Sequence, residues 1–242
     1  MRATLTGFLS FIIVFAAHAE GADLRELIAR LGNSDNFKRR EAAKELSELG
    51  PEAKSALPAL RKAMRDKDLF VRRFAAEAMG KIAAGTGDKD TVSVLFLATN
   101  DEKEEVQKAA IEALALMGQA ATDALVSILK DSGKTAFVRK KAAQGIGNIG
   151  MSARRAIPPL TDLVSGKMKT GKVQKKGKNL NDDDIRPDAA TALGSVAKKD
   201  DTEAIEALKG VAEGKQKNKS LQKAASEALR KITGEAPKKK KK

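Results

Sequence analysis

A chain of 242 residues, 42% of them apolar, can form one extended domain or two small ones around a real core, which excludes disorder throughout. Aromatics make up only 3%, with eight Phe and no Trp, Tyr or Cys, so disulfides and thiolate metal sites are excluded. The core must come from Ala, Leu, Ile and Val, a mixture that favours helices, while a formal charge of +14 points to an anionic partner or to basic segments outside the folded body.

The first element is residues 1–19. Arg2, an apolar run centred on Phe8–Ala16 and the small residues of Ala17-His18-Ala19 have the layout of a secretory signal peptide, with cleavage expected after Ala19. The mature chain would then begin at Glu20, be exported to the periplasm or the exterior, and carry no histidine.

From residue 20 to 234 two kinds of amphipathic segment alternate. Leu24–Leu31 precedes "FKRREAAKELSELG" from Phe37, and Ala53–Met64 precedes "FVRRFAAEAMGKIA" from Phe70. Thr91–Ala98 precedes "EVQKAAIEALALMG" from Glu105, and Thr122–Leu129 precedes "FVRKKAAQGIGNIG" from Phe137. Ile157–Val164 precedes "DIRPDAATALGSVA" from Asp184, and Ala204–Val211 precedes "SLQKAASEALRKIT" from Ser220. Equivalent positions in the second segments (Lys38, Val71, Val106, Val138, Ile185, Leu221) are 33, 35, 32, 47 and 36 residues apart, so one unit carries an insertion.

Val71, Ala75, Met79 and Ile82 form a helical apolar stripe, matched by Val138, Ala142, Ile146 and Ile149 and by Ile185, Ala189, Leu193 and Val196. Pro58, Pro158 and Pro159 fall early in their segments, where a missing amide is best tolerated. The unit is therefore an antiparallel helix pair. A single pair cannot bury its own stripe, so the pairs must stack, and the expected fold is all-α: an α-solenoid of about six pairs.

Gly145, Gly147 and Gly150 in "QGIGNIG" fit the G-x-G-x-x-G pattern of dinucleotide-binding turns, but no strand precedes them. Gly147 shares a column with Gly80 and Gly194, and Gly150 with Gly50 and Gly118, positions where helices approach closely or the chain leaves the helix. Gly145 falls in a column of Ala78, Ala113, Ala192 and Ala228, where its presence reads as chance.

Gly50–Leu60 followed by Val71–Ala83 reads G-P-E-A-x-x-A-L-P-A-L and then V-R-x-x-A-A-x-A-M-G-x-I-A. With this pattern the chain resembles bacterial HEAT repeats of the short, phycobilisome-lyase-like type, a resemblance covering about residues 23–234. It implies an armadillo-like superhelix and a ladder of aspartates in the inter-helix turns with arginines on the second helices. Asp35/Arg39, Asp68/Arg72 and Asp182/Arg186 match at i, i+4; Lys103/Gln107 and Asn218/Gln222 change together, and Arg139 stands opposite Thr135. Catalytic relatives fit poorly. The iron-binding hydroxylases need histidines and the DNA-glycosylase relatives need aromatics, while lyase-type chromophore or cofactor handling is a remote alternative with no residues to carry it.

The fifth unit carries a basic insertion at 165–183, "SGKMKTGKVQKKGKNLNDD", and a polylysine tail occupies 235–242. Lys167, Lys169, Lys172, Lys175, Lys176 and Lys178 lie in the first, and Lys238, Lys239, Lys240, Lys241 and Lys242 in the second. Without these eleven lysines and Arg2, the charge falls from +14 to +2. The P-loop-like run from Gly166 to Lys172 has Val173 where a hydroxyl is needed, and the calcium-loop-like run from Asn179 lacks its glycine and terminal glutamate. Asp183 or Asp184 is expected to cap the next helix instead.

The expectation is thus a non-enzymatic, monomeric protein-interaction scaffold with no cofactor and no metal. Its protein partner would meet the exposed faces of the second helices through Arg40, Lys44, Arg73, Glu77, Lys108, Glu112, Lys140 and Gln144. The alternative is binding of an acidic polymer or anionic lipid surface through the lysine segments by counterion release. Nucleic acid is not expected, since aromatic platforms are lacking.

Overall fold

The computed structural model describes residues 24–168, 184–214 and 217–234. Within them the chain is helical, with first helices α1 (24–30), α3 (Leu57–Ala63), α5 (Lys89–Ala98), α7 (Thr122–Lys130), α9 (Ile157–Ser165) and α11 (Thr202–Glu213). The second helices are α2 (Asn36–Leu49), α4 (Leu69–Ile82), α6 (Glu104–Leu116), α8 (Ala136–Ile149), α10 (Arg186–Val196) and α12 (Lys219–Thr233). From α4 onward each second helix packs on its own first helix, and successive second helices pack on one another, so α2, α4, α6, α8, α10 and α12 form one continuous row.

Local chemistry sets the boundaries. Asp35, Asp68, Asp88, Thr135 and Asn218 cap α2, α4, α5, α8 and α12 by accepting hydrogen bonds from first-turn amides. Gly50, Gly118 and Gly150 turn the chain out of the second helices at φ of 58°, 67° and 66°, and each opens a 3-10 segment into the next unit. The segment from Ala53 is thus not one helix as its periodicity suggests: Gly50–Ala56 is a 3-10 stretch broken at Ala53, and α3 begins only at Leu57, with Pro58 in its first turn.

The predicted stripes are the core. Val71, Ala75, Met79 and Ile82 are buried, as are Ile185, Ala189, Leu193 and Val196; of the Val138 stripe only Ile149 is half-exposed. The row closes through small residues. A Cβ on Gly80 would lie 2.6 Å from the Cα of Ala113, one on Gly147 3.3 Å from that of Ala192, and one on Gly194 2.8 Å from that of Ala228. Between the third and fourth units the roles are exchanged: Ala115 stands in the glycine column and faces Gly145, whose Cβ would meet the Ala115 methyl at 3.5 Å. That distance is ordinary contact, so a methyl group would fit at Gly145 and no close approach demands a glycine there.

The arginine ladder exists, and at Arg39 and Arg72 the partners differ from those expected. Asp35 and Asp68 spend their carboxylates on helix caps and not on Arg39 and Arg72. Arg39 instead reaches forward to Asp66 in the next unit's turn (2.7 and 2.9 Å), and Arg72 to Asp101 in the same way (2.7 and 2.9 Å). Their remaining arms reach back to the carbonyls of Asn33 and Asp66, each at 2.8 Å. Gln107 and Gln222 keep only this backward bond, to Asp101 and to Ala212 and Gly214. Six residues before Arg139 the next turn has Gly133, which offers no carboxylate to Gln107.

Arg139 donates from Nε to the Leu129 carbonyl at 2.8 Å, and burial pushes its guanidinium pKa down. Arg186 pairs with Asp184 (2.6 Å), whose carboxylate also accepts from the Arg186 amide and from Asn218 of the last unit. Asp182 and Asp183 lie outside the described residues.

Candidate interaction surface

The residues expected to meet a partner occupy equivalent places on four successive helices: Arg40 and Lys44 on α2, Arg73 and Glu77 on α4, Lys108 and Glu112 on α6, Lys140 and Gln144 on α8. Neighbouring positions on the same helices (Ala42, Ala43, Ala75, Ala76, Ala109, Ala110, Ala142 and Ala143) are buried, and this fixes the polar positions on the opposite side. All eight are exposed or half-exposed.

The row is internally wired. Arg73 and Glu77 pair along α4 at 3.3 Å, and Lys108 and Glu112 along α6 at 3.8 Å. Across units Arg40 binds Asp68 through Nε (2.9 Å) and through Nη2, and Gln144 donates to Asp188 of α10 at 2.9 Å while accepting from Lys141. These hydrogen bonds from Arg40, working against burial, hold the Asp68 carboxyl well below the usual carboxylate range. The more exposed Arg73–Glu77 and Lys108–Glu112 pairs contribute about 0–1 kcal/mol each.

Sequence reading missed the aromatic part. Phe70 is 40% exposed and lies under two guanidiniums, with Arg40 at 4.7 Å and Arg73 at 5.8 Å from its ring centre; Arg73 also covers Phe74 at 4.5 Å. Phe37 is 58% exposed one unit earlier. The signal was present in the repeat itself, since Phe37, Phe70 and Phe137 share the position just before the buried stripe. Of the lysine segments, Lys167 is exposed and pairs with Glu203 at 3.4 Å. Lys169, Lys172, Lys175, Lys176, Lys178 and Lys238–Lys242 lie outside the described residues, as do the calcium-loop-like run before Asp184 and most of the P-loop-like run.

The family model for HEAT repeats matches residues 24–115, 78–143 and 92–167, together more than half of the chain. The chain belongs to the HEAT-repeat family. Among solved structures, this HEAT-repeat chain is similar to an engineered protein from a structural genomics consortium, at 26% identity and a TM-score of 0.55, over 88% of this chain and 97% of that one. A designed armadillo repeat protein in complex with the peptide (KR)4 is similar in fold at 22% identity and a TM-score of 0.53, over 87% of this chain and 99% of that one. No curated protein matches the HEAT-repeat chain.

Proposed function

We propose that this HEAT-repeat protein is an exported, non-enzymatic scaffold that binds a protein partner across the row of second helices. The observation that carries the reading is the repetition of one polar pair per unit over α2, α4, α6 and α8, set on helices that small residues hold in close contact. A segment crossing that row would meet a new unit about every 8–10 Å, the ordinary spacing of packed helices. The designed armadillo protein's complex with the peptide (KR)4 supports peptide binding by a stack of similar fold.

A scaffold role is also supported by the state of the half-buried turn carboxylates. Asp66, Asp101 and Asp184 are each engaged by an arginine, which suits structural pairing and not proton transfer. Export is supported by the leader-like residues 1–19, and the short, phycobilisome-lyase-like subtype by the Gly50–Leu60 and Val71–Ala83 signatures. A second reading, attachment to an acidic polymer or lipid surface, is supported by the concentration of net charge in two lysine segments.

In-cell crosslinking from Lys108, with mass spectrometry and mapping of the N-terminus, tests the proposal. Capture that survives deletion of 167–178 and of 238–242, and about 0.5 M salt, supports the row; capture lost on either deletion assigns binding to the lysines. An intact Met1 terminus in the cytosol overturns export.

A further inference from the structure

The first helices present a different surface. Where the second helices are in close contact, α3 stands apart from its neighbours, leaving a cleft of about 890 Å³ toward α1 and another of about 490 Å³ toward α5. Leu57, Leu60 and Ala63 turn α3's apolar side inward, which puts Lys62 on its outer ridge; Arg65, in the turn just after the helix, extends that ridge, and both line both clefts. Ile28 and Leu31 help to form the wall of the first cleft; Val94 and Leu97, the latter 65% exposed, line the second.

Arg61 on α3 pairs with Asp88 at 3.4 Å, but the charge of Lys62 and Arg65 is unspent. The lining carboxylates Asp66 and Asp101 are already held by Arg39 and Arg72, and among the described residues no carboxylate lies within ion-pairing distance of Lys62, Arg65 or Lys67. The cations of the second-helix row differ in this respect, since Arg40, Arg73 and Lys108 have carboxylates on the molecule itself. Apolar walls on both sides of an unneutralised cationic ridge complement carboxylates flanked by aliphatic side chains. Nucleobases would instead need stacking platforms, and among the described residues no aromatic lines either cleft.

We infer that α3 is a docking ridge for an acidic, leucine-bearing segment of a partner protein, which sets its carboxylates on Lys62 and Arg65 and its aliphatic side chains in the two clefts. This site lies on a different layer from the row proposed above and stands or falls independently of it.

The test is fluorescence anisotropy of the full chain with a labelled peptide of alternating Leu and Asp, a labelled oligo-aspartate and a labelled oligothymidylate. Reversing Lys62→Glu together with Arg65→Glu is expected to weaken the Leu/Asp peptide by about tenfold or more. Leu97→Ser is expected to weaken that peptide but not oligo-aspartate, and Arg73→Ser with Lys108→Ser to change neither. All these side chains are exposed or half-exposed, so melting temperatures should be unchanged; if the reversal lowers its own, Lys62→Ala with Arg65→Ala takes its place. Absence of saturable peptide binding overturns the inference, as does binding that survives the charge change or is lost when Lys238–Lys242 are removed. Equal binding of oligothymidylate would make the ridge a sequence-blind polyanion contact and overturn it as well.

Discussion

A methyl group added at Gly80 would fall 2.6 Å from both the Cα and Cβ of Ala113, and because one of these atoms is backbone, a rotamer change cannot relieve the clash. Alanine gains about 1 kcal/mol over glycine in a helix, whereas overpacking a tight contact costs about 1–3 kcal/mol. Gly80→Ala should therefore lower stability in urea unfolding, and Gly194→Ala, at 2.8 Å from Ala228, should do the same. At Gly145 the nearest atoms are the Ala115 methyl and the Leu125 methyls, all at 3.5 Å, which is ordinary contact. Gly145→Ala should consequently be neutral or stabilising by up to about 1 kcal/mol. A loss at Gly145 as large as that at Gly80 would refute the reading that only the 2.6 and 2.8 Å approaches exclude a methyl group.

At the level of the helix, caps and ladder make separate demands on neighbouring aspartates. Asp35 only caps α2, so Asp35→Ala should cost about 1 kcal/mol. Asp68 caps α4 and also receives Arg40 and Asn36 from the previous unit, so Asp68→Ala should cost more, and Arg40→Ala should remove part of the difference in a double-mutant cycle.

The turn carboxylates also predict a pH dependence. Burial works to raise Asp66, Asp101 and Asp201, but the hydrogen bonds from Arg39, Arg72 and, for Asp201, the Lys198 amide followed by Arg154 leave each below its ordinary value. Folded carboxylates with lowered pKa bind fewer protons than unfolded ones. Their contribution is complete above the unfolded value of about 3.9 and fades as pH falls through the lower folded values. Unfolding free energy should thus drop below about pH 4, and Asp66→Asn with Asp101→Asn should flatten that drop while reducing stability at neutral pH. An unchanged acid slope in the double variant would separate these pairs from acid stability.

Across the whole molecule, each unit touches mainly its neighbours, so stability is close to a sum of unit and interface contributions. Among the described residues α12 stands at the end of the stack: Leu221, Ala225 and Leu229 are buried, whereas Lys223, Glu227, Arg230 and Lys231 are exposed. Removing residues 198–242 should uncover the small-residue face of α10 around Gly194 and lower both the urea midpoint and the m-value, with the remaining helices retained by circular dichroism. A truncated chain that keeps the full midpoint would show that the sixth unit contributes no interface energy.

The helix pairs, their buried stripes and their glycine exits were legible in the sequence because they follow from 3.6-residue periodicity and turn chemistry, which act within one unit. Val71, Ala75, Met79 and Ile82 needed no tertiary information to be placed inside, nor did Gly50 at its turn. Which aspartate meets Arg39, why Gly145 faces Ala115, and where Arg40 covers Phe70 depend on how one unit slides and rotates against the next. That lateral register arises only when two stripes close on each other, and no spacing within a single helix encodes it. The clefts beside α3 belong to the same class: the sequence supplies an ordinary amphipathic helix with cations on its outer side, and only the distance to α1 and α5 leaves that side uncovered.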